Sequence, residues 1–189
     1  MGQAKVLTEQ EIKRVLAVIA AKRHSDRNRV AVMLSLLAGM RAGEIAALRF
    51  SSVIDRDGEV KTLIRLSPEM TKGSKSRDVL VSQRLQSELK RYVATLSFWK
   101  PDLPLIKSQK HTKAFSANTM VQLFNQIYRE AGIDGASSHS GRRSFITKLA
   151  SKGVSARVLQ QLAGHSSLAT TQRYIDVTDK MLREAVELF

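Results

Sequence analysis

The sequence predicts a mainly α-helical domain with a small antiparallel β-sheet, an α+β arrangement. Two observations carry that reading. Apolar residues recur at three- and four-residue spacing through both ends of the chain, and between them, after Phe50, come short β-branched runs punctuated by turns. A third observation sets the scale: 189 residues without an internal repeat or low-complexity tract fit one domain, 1–189.

The elements follow in order. Thr8-Glu9-Gln10-Glu11 has the form of a capping box, with Leu7 and Ile12 placed as its hydrophobic staple. Behind it Ile12, Val15, Leu16 and Ile19 keep helical spacing. A second helix is predicted over about 26–40, with Val30, Met33, Leu34 and Leu37 on its apolar face, and a short third one over 43–48. Residues 53–54, 60–66 and 77–81 have strand composition, separated by turns at Asp57-Gly58 and at Thr71-Lys72-Gly73-Ser74. Helix resumes over 82–96, and the Pro- and Lys-bearing stretch 98–115 reads as a long basic loop. Ser116 caps a helix running to about Ala131. Short helices over 141–152, 155–163, 168–174 and 179–188 complete the chain, separated by Gly153 and Gly164.

Composition narrows the function. There is no cysteine, which excludes disulfides, thiolate metal sites and cysteine nucleophiles. No signal-peptide pattern and no run of 18 apolar residues occurs, so the expectation is a soluble, cytoplasmic protein with no membrane partner. Lys and Arg exceed Asp and Glu by 31 to 17, a net charge of +14 that points to a polyanion, with nucleic acid first.

The charge is concentrated. From Gly135 to Ile175 there is no acidic residue, yet there are six cations: Arg142, Arg143, Lys148, Lys152, Arg157 and Arg173. Within this segment GHSSLATTQRY places Tyr174 nine residues after His165. Together with Arg41 in GMRAGE, Lys72 in TKGSKSR, and His139 and Arg142 in HSGRR, these residues suit phosphodiester chemistry. A tyrosine can attack phosphorus and hold it covalently, splitting one transfer into two. An imidazole, His139 or His165, can take its proton near neutral pH. A lysine on a hairpin can protonate the leaving oxygen, and two arginines can fork onto the non-bridging oxygens. Singly, each has an ordinary reading: Arg41 pairs with Glu44, the histidines cap or pack, and Tyr174 sits at a core edge. The case rests on all six together.

Three separated motifs in this order resemble the catalytic domain of the tyrosine recombinases, the phage integrase family. LAGMRAGEIAALRF is similar to the first arginine box, MTKGSKSRDVLV to the lysine-bearing β-hairpin, and HSGRRSFITKLASKGVSARVLQQLAGHSSLATTQRYIDV to the second box. The resemblance spans nearly the whole chain and implies the tyrosine recombinase catalytic-domain fold. It implies Tyr174 as the nucleophile forming a 3′-phosphotyrosine, Arg41 and Arg142 on the scissile phosphate, and Lys72 as general acid. His139 would act in proton transfer and His165 at the phosphate. Lys75 and Arg77 lie near Lys72 and are alternative acids; with Arg143 and Arg173 they are also the candidate DNA contacts. No metal, nucleotide or other cofactor is implied. The partner implied is double-stranded DNA, with self-association as a tetramer on it, and segment 179–188 is a candidate for exchange between subunits.

The sequence departs from the family pattern with Gly141 where leucine is usual and Arg143 where a second histidine is common. It also lacks room for the N-terminal DNA-clamping domain of most members. It therefore resembles either an excised catalytic piece, the preferred reading, or a short single-domain invertase. The alternatives carried forward are an integrase-like DNA-binding or recombination-modulating module without catalysis, a type IB topoisomerase variant of the same chemistry, and a metal-dependent nuclease, against which the scarcity of carboxylates near the histidines argues.

Overall fold

A computed structural model describes residues 3–71, 75–108, 113–175, 182–183 and 186–187. The predicted capping box forms at the head of α1, Glu9–Ala20: Thr8 Oγ1 accepts from the Glu11 N–H at 3.2 Å and Glu11 Oε2 accepts from the Thr8 N–H at 2.9 Å. Helix α2, Ser25–Ala38, is the central element. Val30 to Leu36 are all buried, so it is surrounded rather than laid on a surface, and it packs against α1, α5 and α7. Its end at Gly39 leads through Met40 and Arg41 into α3, Ala42–Ala47.

The region after Phe50 departs from expectation. Val53-Ile54 is not a strand: Phe50–Val53 form a single helical turn, α4, that buries Phe50 and Val53 on one face, and Ile54 makes only an isolated bridge to Val60. Branched side chains favoured strand locally, but the core takes residues i and i+3 here. The sheet is the two-stranded hairpin of β1, Leu63–Leu66, and β2, Arg77–Leu80, antiparallel with Ile64 opposite Val79 and Leu66 opposite Arg77. Ile64, Leu66 and Val79 face the core while Arg65, Asp78 and Leu80 face outward, as the pleat requires.

Helix α5, Gln83–Ala94, and helix α6, Ala117–Glu130, are capped by Ser82 and Ser116. The intervening stretch is less of a loop than its composition suggests. Trp99 stacks on Phe50 at 5.3 Å, Leu105 and Ile106 are fully buried, and Pro104 bridges Arg49. Three helices finish the described chain: α7, Ser140–Ala150, α8, Ala156–Ala163, and α9, Leu168–Gln172. Of the predicted last helix, 179–188, only residues 182–183 and 186–187 are described. The N-terminal strap is tied to α7 by a buried hydrogen bond, in which the Leu7 N–H donates to Ser144 Oγ at 2.7 Å. Among the described residues no helix is long and apolar enough to cross a membrane.

Candidate active site

The ends of four elements converge on one cluster of cations. Arg41 stands at the head of α3. Its N–H and Nη1 both donate to the Glu44 carboxylate, at 2.8 and 2.7 Å, across one helical turn. Arg77, at the start of β2, takes the same carboxylate through Nε at 3.2 Å and Nη2 at 2.9 Å, and donates from Nη1 to the Leu162 carbonyl at 3.0 Å. Glu44 is only 1% exposed. Burial pushes its carboxyl up, but Arg77 and Arg41 outweigh that and hold it below the ordinary carboxylate range.

Arg142 lies deeper, 4% exposed, on the first turn of α7. No carboxylate bonds it among the described residues. Nη1 donates to the Gly39 carbonyl at 2.6 Å and Nη2 to the Ala163 carbonyl at 2.5 Å, so the end of α2 and the end of α8 hold it like a bracket. Burial, then the charges of Arg41 and Arg77, push its pKa down to about 9; it remains charged at neutral pH. Two guanidiniums thus share one carboxylate, and a third stands beside them held by carbonyls, in a partly desolvated site. Such an arrangement is stabilised by an incoming anion, and preorganised donors of this kind act most strongly where water is excluded.

Gly164 ends α8 at φ +61°, and a Cβ there would stand 2.5 Å from Arg77 Cδ, so the backbone passes tightly against the arginine stem. The chain then turns His165 into the cluster. Its Nδ1 lies 2.9 Å from the hydroxyl of buried Thr171. Burial, followed by Arg142, Arg41 and Arg77, lowers its pKa to about 4, so the ring is neutral near pH 7 and acts through hydrogen bonding. Tyr174, just past α9, stacks on that ring with centroids 5.6 Å apart and planes 22° apart. Arg143 Cζ lies 5.7 Å from the centroid of the tyrosine ring.

A tyrosine, a neutral imidazole and three neighbouring guanidiniums, Arg142 the buried one, thus stand in one cluster. Residues 5–181 fit the model of the phage integrase family. The chain belongs to that family. The tyrosine recombinase XerA of Pyrococcus furiosus is 33% identical over 183 residues, covering 97% of this chain and 61% of the relative. XerC of Pediococcus pentosaceus is 29% identical over 187 residues, covering 94% and 59%. This integrase-family chain therefore spans about 60% of the length of the curated relatives it matches. The crystal structure of XerA recombinase superposes with a TM-score of 0.75 at 26% identity, over 98% of this chain and 66% of that one. The Tn1549 transposon integrase in complex with a circular intermediate DNA shares the fold, with a TM-score of 0.78 at 16% identity over 100% and 67%.

Within this integrase domain the structure brings together Arg41, Arg142, His165 and Tyr174 from the sequence-derived set. His139 stands exposed at the N-cap of α7, its Nδ1 3.4 Å from Ser138 Oγ, and Ser140 Oγ accepts from the Ser137 N–H. Lys72 lies outside the described residues. Of the candidate DNA contacts, Lys75 and Arg173 are exposed, but Arg77 and Arg143 are not surface cations: the first is locked onto Glu44 and the second lies over Tyr174. Sequence reasoning missed Thr171 and the carbonyls of Gly39 and Ala163, and it saw Glu44 only as an ordinary partner of Arg41. The i, i+3 spacing of Arg41 and Glu44 was the one available signal.

Proposed function

We propose that this chain is the catalytic domain of a site-specific DNA recombinase that cleaves and rejoins DNA through Tyr174. The observation that carries the reading is Tyr174 stacked on His165 beside an Arg142 that offers its charge to no carboxylate. The Tyr174 phenol oxygen bonds to phosphorus and the bond to the 5′-oxygen breaks, leaving a 3′-phosphotyrosine and a free 5′-hydroxyl. Arg41 and Arg142 hold the non-bridging oxygens. The phenol proton passes to the His139 imidazole, and Lys72 supplies the proton that the 5′-oxygen takes up. Neutral His165 serves as a hydrogen-bond donor to the phosphate once Thr171 has fixed its ring. Rejoining is the reverse with a new 5′-hydroxyl, so no metal or nucleotide is consumed.

Double-stranded DNA is the partner in this reading, in the cytoplasm. The relatives' names as tyrosine recombinases support it, as does the XerH recombinase, 23% identical with a TM-score of 0.70, whose structure is a post-cleavage complex with difH DNA. Self-association on DNA is supported by an apolar groove of about 560 Å³ between the N-terminal strap and helices α2 and α7, lined by Leu7, Ile12, Met33, Leu37 and Phe145. Leu182 and Val186, four residues apart and exposed, suit that groove on a neighbouring subunit.

The test is a nicked suicide duplex, or a library of candidate crossover sites, incubated with chelator present. The parent is expected to form a covalent protein–DNA adduct on a denaturing gel, and Tyr174→Phe to form none. Salt-sensitive DNA binding without an adduct on a verified site would overturn cleavage in favour of a non-catalytic binding module. Cleavage without an adduct that the chelator abolishes would favour a metal-dependent nuclease.

A further inference from the structure

Arg143 stands beside the guanidinium cluster without joining it. It follows Arg142 on α7, and successive helical residues point about 100° apart. Arg142 therefore turns inward to the Gly39 and Ala163 carbonyls, while Arg143 reaches the Tyr174 ring. Its Nε is buried and finds no acceptor among the described residues. A buried guanidinium normally secures a carboxylate or a carbonyl for each such donor. Glu44, the carboxylate of the site, is already taken by Arg41 and Arg77. The contact Arg143 keeps is with the aromatic face, where a guanidinium is attracted by the ring quadrupole.

Tyr174 needs such a contact. It lies two residues beyond a five-residue helix, and among the described residues its backbone is held by one hydrogen bond, from its N–H to the Thr171 carbonyl at 3.0 Å. A ring so mounted is free to rotate away from the cluster unless its faces are engaged. His165 engages it at 5.6 Å and Arg143 at 5.7 Å. We infer that Arg143 is a positioning residue for the nucleophile, holding the Tyr174 ring against His165 with its phenol oxygen directed to the anion-holding arginines. The chemical consequence rests on the recombinase reading; the contact itself does not, and it can be tested without DNA.

The chain has three tyrosines, Tyr92, Tyr128 and Tyr174, so 3-fluorotyrosine labelling yields a simple ¹⁹F spectrum in which Tyr174→Phe assigns the line of interest. Arg143→Met keeps an unbranched stem and removes the charge. It should move the Tyr174 line and leave those of Tyr92 and Tyr128 in place. With DNA at saturation it should slow adduct formation by about 10- to 100-fold, the usual consequence of a misplaced reacting group. The dissociation constant for DNA should change less than twofold, and Arg143→Lys should recover part of the rate. An unmoved Tyr174 line would overturn the inference. So would a rate that falls only in step with DNA affinity, which would make Arg143 a phosphate contact. If the parent makes no adduct, the recombinase reading fails instead, and the ¹⁹F shift still decides the contact.

Discussion

His165 shows how much of this site is set by charge rather than by residue type. Its ordinary pKa of 6.5 falls to about 4 because burial and three arginines disfavour an imidazolium there. The unfolded chain therefore binds a proton near pH 6.5 that the folded chain refuses until about pH 4. Stability contributed by the neutral ring is present above pH 6.5 and is lost as the pH falls from there towards 4. We expect the melting temperature of the parent to drop across that window, and that of His165→Gln to drop less. Equal slopes for the two proteins would refute the assignment. The paired carboxylates Glu11, Glu44 and Glu88 are also held below the ordinary carboxylate value of 4.5, so their contribution is lost at more acid pH and the interval from 6.5 to 5 is the diagnostic one.

At the scale of elements, the packing of α7 on α2 sets where Arg142 can reach. Gly141 makes that approach possible: a Cβ there would lie 2.6 Å from Ser35 Oγ and 2.9 Å from Ser35 Cβ. The family's usual leucine has no room in this chain, and the glycine is a close packing contact. Gly141→Ala should destabilise by about 1–3 kcal/mol through overpacking, a loss of roughly 2–12 °C in melting temperature at this chain length. It should also slow adduct formation, because Arg142 is the next residue. Ser35→Ala in the same chain removes the nearer clashing atom and should recover part of both; no recovery would place the strain elsewhere. Arg41, His165 and Tyr174 could be picked out of the sequence by residue type and order, and the structure brings them together. The capping box of α1 was legible because it is local. What the sequence hid was fold-dependent: Arg77 bridging Glu44 and the Leu162 carbonyl, Thr171 behind His165, and Leu105-Ile106 buried within a stretch that composition marked as a basic loop. Each depends on which distant segments meet, and no window of neighbouring residues encodes that.

At the scale of the whole molecule, under the proposed recombinase function, the net charge of +14 and the uncompensated Arg142 would separate two kinds of hold on DNA. The first is electrostatic. Each phosphate neutralised releases counterions, so if six to ten are contacted, affinity should fall about 10³- to 10⁵-fold between 50 and 200 mM salt. Exposed cations such as Lys75, Arg157 and Arg173 contribute to this hold and carry no chemistry of their own. The second is the covalent bond to Tyr174, which salt does not screen. Tyr174→Phe should therefore reproduce the parent's salt slope in equilibrium binding, because the substitution leaves every Lys and Arg in place. Challenge with high salt after incubation should strip the variant from the suicide duplex and leave a fraction of the parent attached. If both proteins were stripped completely, the arginine cluster would be only another phosphate contact, and the stacking of His165 on Tyr174 would have to be explained without a nucleophile.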